Sequence, residues 1–282
     1  MGRPDYFDKY DTWNFERSDD GVLVMRIHTN GGPADYGSKM HSEWAPAFSD
    51  VSRDLDNRVV IVTGTGDSFI AKHGKWLEPL ENARDFEVVS YRHTKMFESI
   101  LSIDVPVIGV ANGPVNHHSE LLVMSDIVLA ADTTVFGDGH FPAGEPAADG
   151  GHIFWLELLG QNRGKYFLLT GHKITANEAR DIGFVNEVWP MEDLMPRALE
   201  LAHQMATYAD LSLRFQRRAF VDRWRRLFRE NIGVGYGMAL ENLAHLGRQF
   251  NVWTGTHEGS EDYAKLQRPM AKKPGGLYGY GD

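Results

Sequence analysis

The residue types able to do chemistry gather first in the stretch from Ala111 to Phe136, ANGPVNHHSELLVMSDIVLAADTTVF. A Gly-Pro turn leads into His117, His118, Ser119 and Glu120, and apolar runs lie on either side, Val105 to Val110 before and Asp126 to Ala131 after. Polar side chains delivered to the edge of a core cost free energy unless they are paired, so this turn is either a hydrogen-bond network or a reactive site. Imidazole titrates at about 6.5 and serves as acid or base near neutral pH. The chain contains no cysteine, which removes disulfides, thiolate catalysis and thiolate-bound zinc.

A second supply of such groups lies in GDGHFPAGEPAADGG, residues 137 to 151, whose glycines and prolines predict an irregular loop. It carries His140 and Asp149. Asp149 precedes two glycines and an apolar helix opening at His152, so the helix N-terminus favours its ionised form. His152 is read as a structural or surface residue, His73 as either that or a substrate-binding residue, and His117 and His118 serve either as turn caps or as part of a site, His117 there binding substrate. Several histidines could meet in space, but no His-Glu-x-x-His spacing appears, and no metal site is expected.

The elements that must position these groups alternate in type. Gly21 to His28 and Arg58 to Thr63 read as strands, and the helix between them, with Ser38 as its cap, repeats Trp44, Phe48, Val51 and Leu55 at helical spacing. A helix over Asp85 to Leu101 leads to the strand at Val105 to Val110. Asp126 to Ala131 is a further strand and Thr175 to Glu178 a capping box before a helix ending at Gly183. A short strand follows at Val185 to Val188, and Leu194 to Met205 is an amphipathic helix. The pattern predicts an α/β fold with mainly parallel pairing. Residues 1–205 form the core, 206–250 a helical region and 251–282 an arm or tail.

The charge of −10, from 39 acidic and 29 basic side chains, argues against nucleic acid as the main partner. The polar N-terminus does not read as a signal peptide and no apolar run of about 18 residues is present, so no membrane association and a cytoplasmic location are expected. The run Arg214 to Arg229 carries Phe220, Trp224, Leu227 and Phe228 at helical spacing between basic residues. It reads as a packed helix with a solvated face at a subunit interface, with nucleic-acid or membrane binding as the rival.

In order along residues 20 to 205, RVVIVTGTGDSFIA, VPVIGVANGPV, ELLVMSDIVLAADTTVFGD and GQNRGKYFLLTGHKITANEARDIGFVNEV resemble the crotonase, or enoyl-CoA hydratase/isomerase, superfamily. The resemblance implies a right-handed ββα spiral, a C-terminal helical trimerisation region, and a homotrimer or a hexamer built as a dimer of trimers. Crotonases usually hold a thioester enolate with two backbone N–H groups. At the small-residue places that supply them, this chain has His73 in Ala71-Lys72-His73-Gly74 and His117-His118-Ser119-Glu120, which crowds a thioester pocket. The NGPV turn with His118 and Glu120, the DGHFPAG loop with His140, and Asp149-Gly-x-His152 instead resemble the carbon–carbon bond hydrolases of the 6-oxocamphor hydrolase kind. His41 and Glu241 fall where those enzymes carry a His and a Glu, and Tyr36 replaces a Trp.

That resemblance implies retro-Claisen hydrolysis of a cyclic β-diketone without a cofactor. His118 and Asp149 would form a dyad, His140 and Tyr36 would donate to a carbonyl, and His41 and Glu241 would pair across the pocket. Glu120 either acts in catalysis or buttresses the histidines. Phe69, Trp76, Phe141 and Trp155 read as pocket walls for an apolar, terpenoid-like substrate or as core. A CoA-dependent hydratase or isomerase using Glu120 is the first alternative, and a non-catalytic scaffold or RNA-binding protein the second.

Overall fold

The computed structural model describes residues 2–73, 83–141 and 145–246, together with two short paired strands at 250–251 and 256–257. The chain begins with a hairpin of β1 (Trp13–Arg17) and β2 (Val22–Ile27), paired antiparallel. The sequence reading missed β1, although Trp13 and Phe15 alternate with polar residues and point inward. Next come β3 (Asp35–Tyr36), α1 (Ser38–Arg53), β4 (Val59–Thr63), β5 (Lys72–His73), α2 (Ala83–Leu101) and β6 (Val107–Ala111). After these follow α3 (Glu120–Val123), β7 (Ile127–Ala131), β8 (Val135–Phe136), α4 (Gly151–Thr170), β9 (Ile174–Thr175) and α5 (Ala176–Asp181). The described chain continues through β10 (Glu187–Trp189), α6 (Met191–Ala206) and α7 (Asp210–Leu246).

The main sheet has the order β1-β2-β4-β6-β7-β10, and every pairing after the first hairpin is parallel. Strands β4 and β6 are buried along their whole length, as their unbroken apolar runs require. Leu194, Ala198 and Ala202 of α6 cover one face against Val24, Ile61, Ile108 and Leu129. The other face joins a larger core with α1, α2 and the inner side of α7. A short second ladder runs beside it: β3 pairs with β5 in parallel, and Val115 bridges both Ile70 and Phe136. This ladder carries the turns that bear the polar groups.

Two local expectations change. Ser38 is the first helical residue rather than the cap, because extended Gly37 takes that place and no side chain caps the helix. The strand placed at 185–188 lies at 187–189, since Asn186 spends its side chain on the Val128 N–H, 2.8 Å away. The capping box forms as read, with Thr175 Oγ1 accepting from the Glu178 N–H and Glu178 accepting from the Thr175 N–H. The tail region beyond 257 lies outside the described residues. Among the described residues, no helix is long and apolar enough to cross a membrane.

The arginine-rich helix α7 turns its charges mostly onto its own chain. Arg217 is buried and pairs with Asp126 at 2.6 Å, Arg214 donates to the carbonyls of Leu55 and Asn57, and Arg225 donates to that of Leu101. Phe228 is buried, whereas Phe220 is 58% exposed, so the predicted stripe is split between two faces. Asp126 also accepts the Val107 N–H at 2.8 Å, tying α7 to the start of β6. Removing one partner of a buried pair strands the other charge, so Asp126→Ala is expected to lower the unfolding free energy by about 3–5 kcal/mol in urea titrations. The double change Asp126→Leu with Arg217→Met should recover most of it.

Candidate active site

The turn after β6 can reach the ladder because Gly113 has φ of +137° and no room for a side chain: a Cβ there would lie 1.9 Å from the Asp67 carbonyl oxygen. Five residues on, His118 takes a φ of +49°, a left-handed conformation that costs a non-glycine residue free energy and that clusters at functional sites. The result is a buried His118 ring, packed 4.1 Å from the Tyr36 ring and 5.3 Å from that of Trp44. Ser119, at the N-cap of α3, accepts from the Trp155 indole N–H at 3.2 Å, fixing the turn against α4.

From the opposite side, residues 138–141 and 145–149 bring in His140 and Asp149. His140 Nδ1 lies 3.1 Å from Asp138 Oδ1 and its Nε2 lies 3.1 Å from Asp149 Oδ2, so both ring N–H groups donate to carboxylates. Flanked in this way, and despite burial, His140 is raised well above 6.5 and is an imidazolium at neutral pH. Burial alone would raise Asp149; the neighbouring His140 cation and its hydrogen bond dominate and hold that carboxyl far below the usual range. Helix α7 packs against this segment at Gly235, where a Cβ would meet the Ala148 carbonyl at 2.2 Å.

His41, His93 and His118 are neutral. Burial lowers His41 and His93 each to about 3 and takes His118 well below 6.5, with neighbouring cationic groups adding to the fall. The rings of His41 and His93 lie 4.3 Å apart, and those of His93 and His118 lie 5.5 Å apart. Burial, then the charges of Asp149 and Asp138, raises Glu120 to about 8. Burial raises Glu145 to about 7 and the phenols of Tyr36 and Tyr236 well above 10. Asp149 Oδ1, His118 Nδ1, Glu120 Oε2 and the Tyr236 hydroxyl are buried without a hydrogen-bond partner among the described residues. Polar atoms so placed are suited to water or a ligand.

The structure brings Tyr36, His41, His118, Glu120, His140 and Asp149 together but alters their pairing. The expected His118–Asp149 dyad is replaced by His140–Asp149, because the Gly-rich approach to α4 places Asp149 against the His140 edge. His118 Nδ1 instead faces Glu120 Oε2 at 3.8 Å. The expected His41–Glu241 pair is not formed: Glu241 is exposed on α7, and the charges acting on His41 are those of Arg92 and Asp149. His117 is half-buried against Gly139. Phe69 belongs to the core, Phe141 is 49% exposed rather than a pocket wall, and Trp155 is core. His73 lies opposite Tyr36 in the β3–β5 pair, His152 lies 3.1 Å from the Ala147 carbonyl oxygen, and Trp76 lies outside the described residues.

Sequence reasoning missed His93, Asp138, Glu145 and Tyr236. His93 was visible in principle: it stands three and four residues before Met96 and Phe97 on the inward face of α2. Tyr236 likewise lies four and eight residues after buried Ile232 and Phe228 on α7. Asp138 and Glu145 lie in irregular backbone, where no periodicity marks an inward residue.

A wound parallel sheet with helices on both faces and a buried polar site at the ladder turns defines an α/β enzyme fold. The family model for enoyl-CoA hydratase/isomerase matches residues 17–247, and the chain belongs to that family, with the crotonase fold. The chain is 40% identical to a β-diketone hydrolase from the cyanobacterium Anabaena, solved bound to (S)-3-oxocyclohexyl acetic acid, with a TM-score of 0.83 over 87% of this chain and 99% of that one. It is 31% identical to a crotonyl-CoA hydratase from Syntrophomonas wolfei, over 61% of this chain and 67% of the relative. A short-chain-enoyl-CoA hydratase from Clostridium acetobutylicum is 28% identical over 70% and 77%.

The ionisation pattern predicts a pH signature. A carboxyl raised by folding keeps its proton in the native state while the unfolded chain loses it, so stability falls as pH rises between the two values. At pH 6.5 about half of the unfolded histidines still hold a proton that the lowered native rings do not, so those histidines add a rise in stability that fades by about pH 8 and is common to both proteins. Across the same range Glu120 contributes a fall, together with raised His140, whose stabilisation is also lost as pH rises toward its folded value. Glu120→Gln is expected to remove that fall and make the pH slope of the unfolding free energy, measured in urea at pH 6.5, 7.25 and 8, more positive than in the unchanged protein. Identical slopes for the two proteins would mean that Glu120 is ionised in the fold.

Proposed function

We propose that the protein hydrolyses a carbon–carbon bond of a cyclic β-diketone by a retro-Claisen reaction, giving a keto acid. The observation that carries this reading is the ring of side-chain donors and neutral imidazoles around one ionised carboxylate, Asp149. The likeness to a β-diketone hydrolase over nearly all of that protein's length supports it. The reaction needs a water that loses a proton, an oxyanion that is held, and an enolate that is protonated, and no cofactor enters.

In the proposed course, water lies between Asp149 and the neutral His118. His118 takes a proton as the water oxygen bonds to one carbonyl carbon. The nascent imidazolium is stabilised by Asp149, within 4.8 Å, and this interaction grows only as charge develops. His140, clamped between Asp138 and Asp149, acts as a positioning residue that keeps Asp149 ionised and oriented. The Tyr36 and Tyr236 phenols and the protonated Glu120 carboxyl donate to the carbonyl oxygens. Collapse of the tetrahedral adduct breaks the carbon–carbon bond, its electrons pass to the second carbonyl as an enolate, and His118 returns the proton to carbon. Water and diketone are thereby consumed to give one keto acid.

A homotrimer, or a dimer of trimers, is the proposed assembly, supported by Leu211, Phe215, Val234 and Met238 exposed along α7. The rival substrate, an enoyl-CoA thioester, is favoured by the names of the curated relatives and by buried Glu120. Mono- and bicyclic 1,3-diketones, with crotonyl-CoA alongside, are to be incubated in oxygen-18 water and the products weighed by mass spectrometry. One heavy oxygen in the new carboxylate is expected, with His118→Ala and Asp149→Asn each slowing turnover on the order of a thousandfold. Turnover of the thioester alone would reject the diketone reading.

A further inference from the structure

His93, His118 and Asp149 come from α2, from the turn before α3 and from the approach to α4, and no spacing in the sequence joins them. One ring nitrogen of each histidine and one carboxylate oxygen lie within 4.8 Å of one another, and all three side chains are buried. They face each other without bonding to each other: His93 Nε2 stands 3.8 Å from Asp149 Oδ2, beyond hydrogen-bond range. His93 Nε2 and Asp149 Oδ1 also lack any hydrogen-bond partner among the described residues. Donors arranged in this way are splayed around a common point rather than paired.

We propose that His93, His118 and Asp149 form a binding site for a divalent transition-metal ion of the zinc type, and that the ion inhibits the enzyme by taking the place of the reacting water. The donor set is two imidazoles and one carboxylate, a combination that zinc accepts while keeping one position open. Ligand bonds of about 2.0–2.1 Å require the donors to close to roughly 3.4 Å apart, so binding draws His93 and His118 inward toward Asp149. Asp149 already has the outer support that metal-bound carboxylates use, since His140 donates to its Oδ2 at 3.1 Å. Glu120 Oε2, 3.8 Å from His118 Nδ1, stands beside the set. The metal-binding half of the proposal rests on geometry alone; the inhibitory half rests on the diketone reading.

The test uses the full chain with zinc chloride and no substrate. Elemental analysis after dialysis should find one zinc per chain, and an anomalous difference map at the zinc edge should place it between the three side chains. His93→Phe and Asp149→Asn should each weaken binding on the order of a hundredfold or more in calorimetry, whereas His203→Ala, at an exposed histidine, should leave it unchanged. An anomalous peak only at exposed histidines, unchanged affinity in His93→Phe, or no retained zinc would overturn the proposal. In a separate assay, zinc should suppress diketone hydrolysis and a chelator restore it. Zinc bound between the three residues with hydrolysis undiminished would overturn inhibition while leaving the site. Absence of hydrolysis in the zinc-free protein would count against the functional reading and not against the metal site.

Discussion

The clamp on His140 is the interaction around which the site is organised. A single imidazolium between Asp138 and Asp149 lets two carboxylates share a buried space that would otherwise drive one of them to take up a proton. With Asp149 held ionised, its field sets the state of the surroundings: it raises Glu120 toward its protonated form and opposes the burial that keeps His93 and His118 neutral. The anionic hub follows from one doubly bonded ring, while burial keeps His41, His93 and His118 neutral and, with Asp149, keeps Glu120 protonated.

The fold exists to deliver this arrangement from distant parts of the chain. The parallel sheet fixes the spacing of successive turns, and the short ladder through β3, β5, Val115 and Phe136 carries the polar turns out of the main core. Helix α2 contributes His93 from one side, and α7, held down by the buried Arg217–Asp126 pair, contributes Tyr236 from another. The strained backbone at His118 is sustained because Ser119 and Trp155 fix the next residue. Stability invested in the core thus supports polar groups that destabilise the fold when considered alone.

Much of the architecture was legible in the sequence, because β4 and β6 are unbroken apolar runs and α1, α2 and α6 keep a clear helical period. The site was legible as a set of residues and not as a set of pairs. His118 stood out as a polar group in a turn between apolar segments, and His140 and Asp149 through the resemblance of their loop to the carbon–carbon bond hydrolases. Which ring meets which carboxylate depends on the path of the 137–151 loop, and irregular backbone has no period from which to read it. His93 was overlooked because one histidine on an apolar helix face resembles a tolerated core residue, and Glu241 was placed by the resemblance alone, whereas the phase of α7 turns it to solvent.

The central claim is one of charge: His140 is cationic while His41, His93 and His118 are neutral. Nitrogen-15 NMR of the histidine side chains at pH 7, assigned with His140→Gln, His118→Gln and His93→Gln variants, reads each ring directly. The account predicts an imidazolium signature for His140 that persists well above pH 7, and neutral rings for the other three throughout the neutral range. A neutral His140, or a cationic His118 in the resting protein, would contradict it.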